Sequence, residues 1–193
     1  FLFLIGNAWR NLHQHYSEQF PHYPQVKTLD VENINSDIVY EFSNDADLIL
    51  VSGTRLIKEK LLALKPKIGI LNLHTGLSPY VKGGPNCTNW CIANGNFHLI
   101  GNTIMWIDAG IDSGNILTTE FTQLLGDEDL DQIHLQVMDH AHDLYVRAVR
   151  FIWEGKTQSV PQNEIAKGKT FYTKDWSYSA KKNLVNSLKK LGQ

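Results

Sequence analysis

Two short apolar runs, Leu48–Val51 and Ile68–Leu73, constrain the fold of this chain more than any other feature. Each has the length of a strand and is apolar along almost its whole length. Between them, Thr54 is placed to cap a helix that would run to Leu64, and Pro66 would end it. Strands that are apolar on both faces and joined through a helix are typical of a parallel sheet. The sequence therefore predicts the α/β class, with a mostly parallel sheet flanked by helices.

The remaining elements follow from periodicity and from cap residues. Apolar residues three or four apart predict a helix over residues 1–20, although the first five residues alone would also fit a strand. Ser36 and Asn86 are the predicted caps of two further helices. The other predicted elements are a strand over 26–31, helices over 36–42 and 86–93, a loop over 75–86, strands over 102–107 and 116–121, a long helix over 133–152 and a basic helix over 180–191.

Length and composition limit both the organisation of the chain and its partners. The 193 residues favour one domain, which we place at residues 1–153, with a C-terminal extension at 154–193. A formal net charge of −2 gives no general attraction to nucleic acid, and no apolar run is long enough to span a membrane. Two cysteines do not make a disulfide framework, so the cytoplasm is the default location.

Two polar clusters lie where predicted strands end. Asn72 and His74 stand two residues apart at the end of the second apolar run, so they share one face of that strand. Asp112 lies in a glycine-rich turn after the next predicted strand. An Asn amide can stabilise the oxyanion of acyl transfer, a His can move protons near neutral pH, and an Asp can hold the imidazole in its protonated form. The three residues are therefore candidates for one acyl-transfer site.

A structural interpretation of the same residues stays open at this point. Taken singly, a buried Asn or His at a strand end is more often a satisfied structural residue than a catalytic one. Metal binding is not expected, because His134, His140 and His142 do not form a ligand motif. Cys87 and Cys91 are at helical spacing without further ligands, which makes zinc improbable.

The residues around both clusters resemble the motifs of folate-dependent formyltransferases. Asn72-Leu-His74-Thr-Gly-Leu-Ser-Pro79 resembles the family's Asn-x-His-x-x-Leu-x-Pro segment, and Gly101 to Ile116 resembles its second motif, which ends in Asp-x-Gly-x-Ile. This resemblance implies a Rossmann-like fold and 10-formyltetrahydrofolate as the formyl donor, without a metal. It also implies that Asn72, His74 and Asp112 are the catalytic triad.

The resemblance extends to two sets of binding residues. The pterin of the folate is expected against the turn 53–57 and the loop 108–112, largely through backbone groups. The residues implied to bind folate are Arg55, Leu56, Ile57, Asp108, Ala109, Gly110 and Ile111. The residues implied to bind the acceptor amine are Ser78, Tyr80, Gly83, Gly84 and Asn86.

The chain also departs from the family pattern. The segment Gly76–Pro79 replaces the usual Ser-Leu-Leu-Pro and is close to a variant of sugar-nucleotide N-formyltransferases. The basic residue that follows the family's tyrosine is shifted, since Lys82 comes two positions after Tyr80. Met105 stands where many members carry a His, so a second-histidine role is not expected. Domains of this family begin with a strand, a helix and a second strand. This chain is expected to start after some of these elements, so N-terminal elements of the domain are expected to be missing.

The acceptor predicted from this resemblance is the amine of a nucleotide-linked amino sugar. About 80 residues follow Asp112, fewer than the basic C-terminal barrel of methionyl-tRNA formyltransferases would need. Tyr172 and Trp176 are candidates either for stacking on a base or sugar or for the core. The alternatives are glycinamide ribonucleotide formylation, deformylation of the folate by water, and a binding module without activity. A homodimer is also expected, and neither nucleic acid nor membrane is a predicted partner.

Overall fold

The computed structural model describes residues 2–191. Phe1, Gly192 and Gln193 lie outside the described residues, and with them lie the outer ends of the predicted segments 1–153 and 154–193. In chain order the helices and strands are α1 (Leu2–Gln19), α2 (Asp37–Ser43), β1 (Leu48–Ser52), α3 (Glu59–Leu62), β2 (Gly69–His74), β3 (Val81–Gly83), α4 (Cys87–Ala93), β4 (Gly101–Trp106), β5 (Ile116–Phe121), α5 (Leu130–Trp153), α6 (Gln162–Ile165), β6 (Lys169–Phe171) and α7 (Tyr178–Leu191).

A four-stranded central sheet with the order β1-β2-β4-β5 confirms the α/β class with flanking helices. Its directions are mixed and not mostly parallel: β1 pairs with β2 in parallel, whereas β4 runs antiparallel to both β2 and β5. The reason lies in where the chain returns to the sheet. It leaves β2 at His74 and comes back beside that same end, where His74 pairs with Thr103, so β4 must run the other way.

Helix α5 covers one face of this sheet and fixes which side chains of β2 are left for the other face. Leu71 and Leu73 pack into a buried cluster with Ala141 and Leu144 of α5. Because side chains alternate along a strand, the residues between and after these leucines point to the opposite face. The helix starts with a capping box in which Asp129 and Gln132 bond each other's backbone N–H, a device worth about 1 kcal/mol.

A second apolar cluster joins the last part of the chain to α4. Leu184 of α7 is fully buried against α4, and Trp90 of α4 stacks on Phe171 and meets Trp176 edge to face. Strand β6 pairs in parallel with β3, and Val160 forms a bridge with Ile116 of the central sheet. Residues after 153 therefore pack on the preceding part at several places, while the division at 153 itself stays a prediction.

Most predicted elements are confirmed, and three predictions are wrong. Residues 26–31 form no strand, because no neighbouring strand pairs with them among the described residues. The helix predicted over 54–64 is reduced to α3, since the amide of Asn35 bonds Leu56 O and Lys58 N and holds residues 54–58 out of helix. The loop over 75–86 contains β3, which forms because β6 supplies its hydrogen-bonding partner.

None of the helices within residues 2–191 combines the length and the apolar character of a transmembrane span.

Candidate active site

Strand β2 presents Asn72 and His74 on the face away from α5. The side chain of His74 is 9% exposed, while Asn72 is partly buried. Their neighbours Leu71 and Leu73 belong to the core below. The alternation of polar and apolar residues at this strand end therefore has the predicted result, with an amide and an imidazole side by side.

The turn 108–114 delivers Asp112 to the same place. Asp112 has a φ of 47°, and among the described residues it alone combines a side chain with a positive φ. This conformation costs about 1–3 kcal/mol for a residue with a Cβ, although Asp tolerates it better than most. Asp108 shapes the turn by accepting bonds from Gly110 N and Ser113 Oγ at 2.9 and 2.6 Å. Gly114 is required, since a Cβ there would lie 1.7 Å from a backbone oxygen of Trp106.

The three predicted catalytic side chains meet. Nδ2 of Asn72 and Nδ1 of His74 each lie 3.5 Å from a different carboxylate oxygen of Asp112. The backbone N–H of Gly83 donates to Asp112 Oδ2 at 2.9 Å. The Asp112 side chain is 19% exposed, so its charge faces solvent only in part. Contacts of 3.5 Å are long for hydrogen bonds, and catalytic bonds commonly tighten when substrate binds.

The far side of the His74 ring is also occupied. Nε2 lies 3.3 Å from Val81 O and 3.7 Å from Cys87 Sγ. Since Val81 O and the Asp112 carboxylate can only accept, the ring bonds both of them at once only when both nitrogens carry a proton. Burial, and in second place the negative charge of Asp112, raise the pKa of the Cys87 thiol well above its usual value. A raised pKa favours the neutral thiol over the thiolate, which is the nucleophilic form.

A cleft of about 560 Å³ opens above these side chains, within the usual range for small-molecule sites. Most residues predicted to bind folate or acceptor line it. Those that do are Arg55, Leu56, Ile57, Asp108, Gly110, Ile111, Gly83, Gly84 and Asn86.

Three of the predicted binding residues lie elsewhere. Ala109 lines a neighbouring cavity of about 480 Å³. Ser78 is fully buried, and its backbone N–H donates to Thr103 Oγ1 at 2.9 Å. Tyr80 is exposed outside the cleft lining. Neither Ser78 nor Tyr80 lines the cleft, so their predicted contact with the acceptor has no support in this geometry.

Sequence reasoning missed several residues of the cleft. Trp9 of α1 and Met138 of α5 line it, although their spacing indicated only a helix face. Tyr172 also lines it, so stacking on a base or sugar stays a prediction for that residue, while Trp176 is partly buried and packs against the core. Met105 stands where many family members carry a histidine. It is buried under the cleft and pairs with Asn72 across the sheet.

Two of the other histidines, His134 and His140, have buried or partly buried contacts. His134 is buried against the ring of Trp9 and bonds Asn89 Oδ1 at 3.0 Å, and burial lowers its pKa to about 4. His140 contacts Thr122 and Glu120 at 2.9 and 3.2 Å. Within residues 2–191, no three side chains of the His, Cys, Asp or Glu types are grouped closely enough to hold a metal ion.

An amide, an imidazole and a carboxylate that meet beside a cleft in an α/β fold are a set of groups that acyl transfer can use. Comparison with known families makes this specific. The family model described as formyl transferase matches residues 20–149, about two thirds of the chain. The chain belongs to the formyl transferase family.

Named relatives and solved structures differ in their acceptors. The chain is 30% identical over 181 residues to the methionyl-tRNA formyltransferase of Clostridium beijerinckii, covering 88% of this chain and 56% of the relative. It thus spans about half the length of the curated relatives it matches. Among solved structures, the formyltransferase PseJ from Anoxybacillus kamchatkensis, in complex with UDP-4,6-dideoxy-4-formamido-L-AltNAc and tetrahydrofolate, is 25% identical with a TM-score of 0.60, covering 84% of this chain and 81% of PseJ.

A third relative extends the similarity of fold. The N-formyltransferase from Helicobacter canadensis, in complex with folinic acid and dTDP-3-aminofucose, has a TM-score of 0.62 at 19% identity. The match covers 90% of this chain and 62% of that one. At this identity the likeness supports the fold and says nothing of the acceptor.

Proposed function

We propose that this protein transfers a formyl group from 10-formyltetrahydrofolate to a primary amine, and that the amine belongs to a nucleotide-linked amino sugar. The observation that carries the proposal is that Asn72 Nδ2 and His74 Nδ1 each lie 3.5 Å from a carboxylate oxygen of Asp112 at the wall of the cleft. An amide donor, a proton carrier and a carboxylate are the groups that acyl transfer to an amine requires.

The walls of the cleft suit a folate. One wall is the turn 53–57, where Leu56 is 61% exposed and the backbone of Gly53 is open, and the other is the turn 108–111. A flat pterin edged with donors and acceptors fits between two such turns, because their backbone groups can bond its edge. The tetrahydrofolate bound to PseJ supports this donor class. That the formyl group is on N10 is part of the proposal.

The residues of this chain then divide the work as follows. The donor supplies a formyl carbon bonded to N10, and that C–N bond breaks as the acceptor nitrogen bonds the same carbon. Asn72 donates from Nδ2 to the formyl oxygen as it gains negative charge. The acceptor amine loses one proton and N10 gains one, and His74 moves protons while Asp112 stabilises its positive charge. A cleft wall of packed side chains limits competing attack by water.

Tyr172 supports a nucleotide-linked acceptor. Its side chain is 47% exposed and lines the cleft, and it follows the Phe171 end of β6. Strand β6 pairs with β3, so the Gly83–Asn86 segment lies in the same part of the cleft. An exposed aromatic ring beside backbone groups of glycine residues is suited to stack on a base and bond a diphosphate. The UDP-linked sugar named with PseJ agrees with this acceptor.

Methionyl-tRNA is the second candidate acceptor. It is favoured by the 30% identity to the Clostridium beijerinckii enzyme, which is higher than the identity to any of the sugar enzymes named above. Against it stands the formal net charge of −2, since binding of a polyanion draws its affinity mainly from basic residues. Both candidates use the same three residues, so only the acceptor separates them.

One panel of acceptors tests the proposal. Purified protein and 10-formyltetrahydrofolate are incubated with UDP- and dTDP-linked amino sugars, with methionyl-tRNA, with glycinamide ribonucleotide, and with no acceptor. Mass spectrometry then looks for the added formyl group, and a formate assay measures hydrolysis. Formylation of an amino sugar that is lost in Asn72→Ala supports the proposal. Formylation of methionyl-tRNA alone selects the second candidate. Formate released without an acceptor indicates a deformylase. If no reaction occurs with any acceptor or without one, the proposal that the protein is an enzyme is wrong.

A further inference from the structure

Gln162 of α6 lies beneath the turn that carries Asp112. Its side chain is buried, and Nε2 donates to two backbone oxygens of that turn, Asp112 O and Gly114 O, each at 2.8 Å. One amide group therefore uses both of its N–H bonds on the turn. The sulfur of Met105 lies 3.7 Å from the same nitrogen and closes the pocket on the side of the sheet.

The turn needs such support because of its backbone conformation. Asp112 holds a positive φ that few residues with a side chain adopt, and such conformations persist where the surroundings over-determine them. Gln162 bonds the carbonyl of Asp112 itself and that of the residue two positions later, so it spans the bend. The other restraint acts on the carboxylate, where Gly83 N donates at 2.9 Å.

Both restraints come through the same part of the chain. Gln162 follows Val160, which is anchored to Ile116 by two backbone bonds of 2.9 Å. Gly83 belongs to β3, whose partner strand is β6, and Gly84 N donates to Phe171 O at 3.0 Å. Residues 160–171 therefore hold Asp112 once directly, through Gln162, and once indirectly, through β3.

We infer that Gln162 is a positioning residue for Asp112: it fixes the backbone of the turn so that the carboxylate stays within reach of His74 and Asn72. The inference rests on the proposed function for its kinetic consequence, whereas its structural consequence stands apart from it. Gln162 does not line the cleft, so it is not a catalytic residue and acts only through Asp112. A shift of about 1 Å in a reacting group can lower a rate by about 10²-fold.

The decisive variant is Gln162→Glu, which keeps the shape of the side chain but replaces the amide donor by a carboxyl group. Facing two carbonyl oxygens, this group donates at most one hydrogen bond, so the turn loses at least one of its two restraints. We expect kcat to fall by at least about tenfold, with KM for donor and acceptor within about threefold of the wild type. A crystal structure of the variant should show the Asp112 carboxylate moved away from His74.

A matched control separates positioning from stability. Asn102 is a fully buried amide on β4 that bonds Thr122, His140 and Val137 O, away from the turn 108–114. Asn102→Ala should lower Tm while leaving kcat per folate-binding site within about twofold of the wild type. If Gln162→Glu behaves like this control, with a lower Tm but unchanged kcat per folate-binding site, the inference is overturned.

Two further arms keep the test decisive. Gln162→Met, which fills the same space without any donor, replaces the Glu variant if that variant does not fold, and the same results are expected of it. If the wild type formylates no acceptor, the proposed function fails, but the crystal structures still measure the separation of Asp112 and His74. An unchanged separation in both variants would then overturn the positioning role by itself.

Discussion

The two walls of the cleft are built in opposite ways. At the candidate reacting centre, two side chains are held from more than one side: Asp112 by Gly83 N and by Gln162 behind its backbone, and His74 between Asp112 and Val81 O. At the turn 53–57 no side chain has a hydrogen-bonding partner of this kind among residues 2–191, and Asn35 holds the backbone instead, through Leu56 O and Lys58 N.

This difference agrees with the role that we propose for each wall. Stabilising a developing charge requires polar side chains whose positions are set before the substrate arrives, since reorganisation would cost part of the benefit. Recognising the edge of a flat heterocycle through backbone groups requires only that the backbone be in place. Side-chain substitutions should therefore affect kcat at the centre and hardly affect anything at the turn.

The largest test of this contrast is Asp112→Asn. The amide keeps the size of the side chain but removes the charge that stabilises protonated His74, so kcat should fall by about 10³-fold with the fold intact. Steady-state kinetics and circular dichroism measure the two quantities. Asp143→Asn, an exposed change on α5, serves as the control and should leave kcat as it was. A normal kcat in Asp112→Asn would remove the proton-handling role.

Asn72→Ala should have the next largest effect. It removes the donor to the formyl oxygen, which is worth about 10²-fold in kcat, while KM for the folate stays close to the wild-type value. Asn115 is exposed and lies just beyond the turn 108–114, and it provides a matched Asn→Ala control. The oxygen-stabilising role would be refuted by a variant whose KM rises while its kcat holds.

The pH dependence of the free energy of unfolding tests a residue outside both walls, the buried His134 of α5. Burial lowers the pKa of His134 to about 4, so the folded protein favours the neutral ring. The contribution of neutral His134 to the free energy of unfolding is complete above pH 6.5, where the unfolded chain also has a neutral His134. It is lost as the pH falls from 6.5 towards 4, because the unfolded state then takes up a proton before the folded state does. Over that window the loss is about 3 kcal/mol. Denaturant unfolding at several pH values should show a smaller slope in His134→Gln and the wild-type slope in exposed His98→Gln.

Tyr172→Ala tests the part of the cleft that we propose for the acceptor. Removing a half-exposed ring that stacks on a base should raise KM for the nucleotide sugar by about tenfold and leave kcat and the folate KM unchanged. Tyr23→Ala, at an exposed position outside the cleft lining, is the control. An unchanged acceptor KM would show that Tyr172 contacts no part of the acceptor.

The smallest effect is expected from Leu56→Ala. The exposed side chain contributes only its own contact area, so the folate KM should rise by about threefold at unchanged kcat. Leu125→Ala, exposed and away from the cleft, gives the baseline. A loss of kcat in Leu56→Ala would contradict the contrast between the two walls.

The sequence was informative where the signal is local. An apolar strand that ends in Asn72 and His74, and a glycine-flanked Asp112, are each visible within a few residues, and the structure brings all three together. Their catalytic roles stay predictions. The family resemblance is confirmed by the match to residues 20–149, whereas the acceptor was chosen from features too weak to decide it.

What the sequence could not supply depends on contacts between distant residues. The missing first turn of the predicted helix 54–64 is due to Asn35, about twenty residues earlier, and no local propensity reports such a bond. The mixed directions of the sheet depend on where the chain returns after β2. Gln162 carries no pattern at all, since a single glutamine after a proline is typical of any surface loop.

The pairing of β3 with β6 has a consequence for the order in which the site is made. During synthesis Asn72, His74 and Asp112 leave the ribosome well before residues 160–171, which hold the turn and the β3 segment in place. At that stage the nascent chain contains all three side chains of the candidate site, but they are not yet aligned. The candidate site can therefore be aligned only after residues 160–171, with the partner strand and the supporting glutamine, have been synthesised.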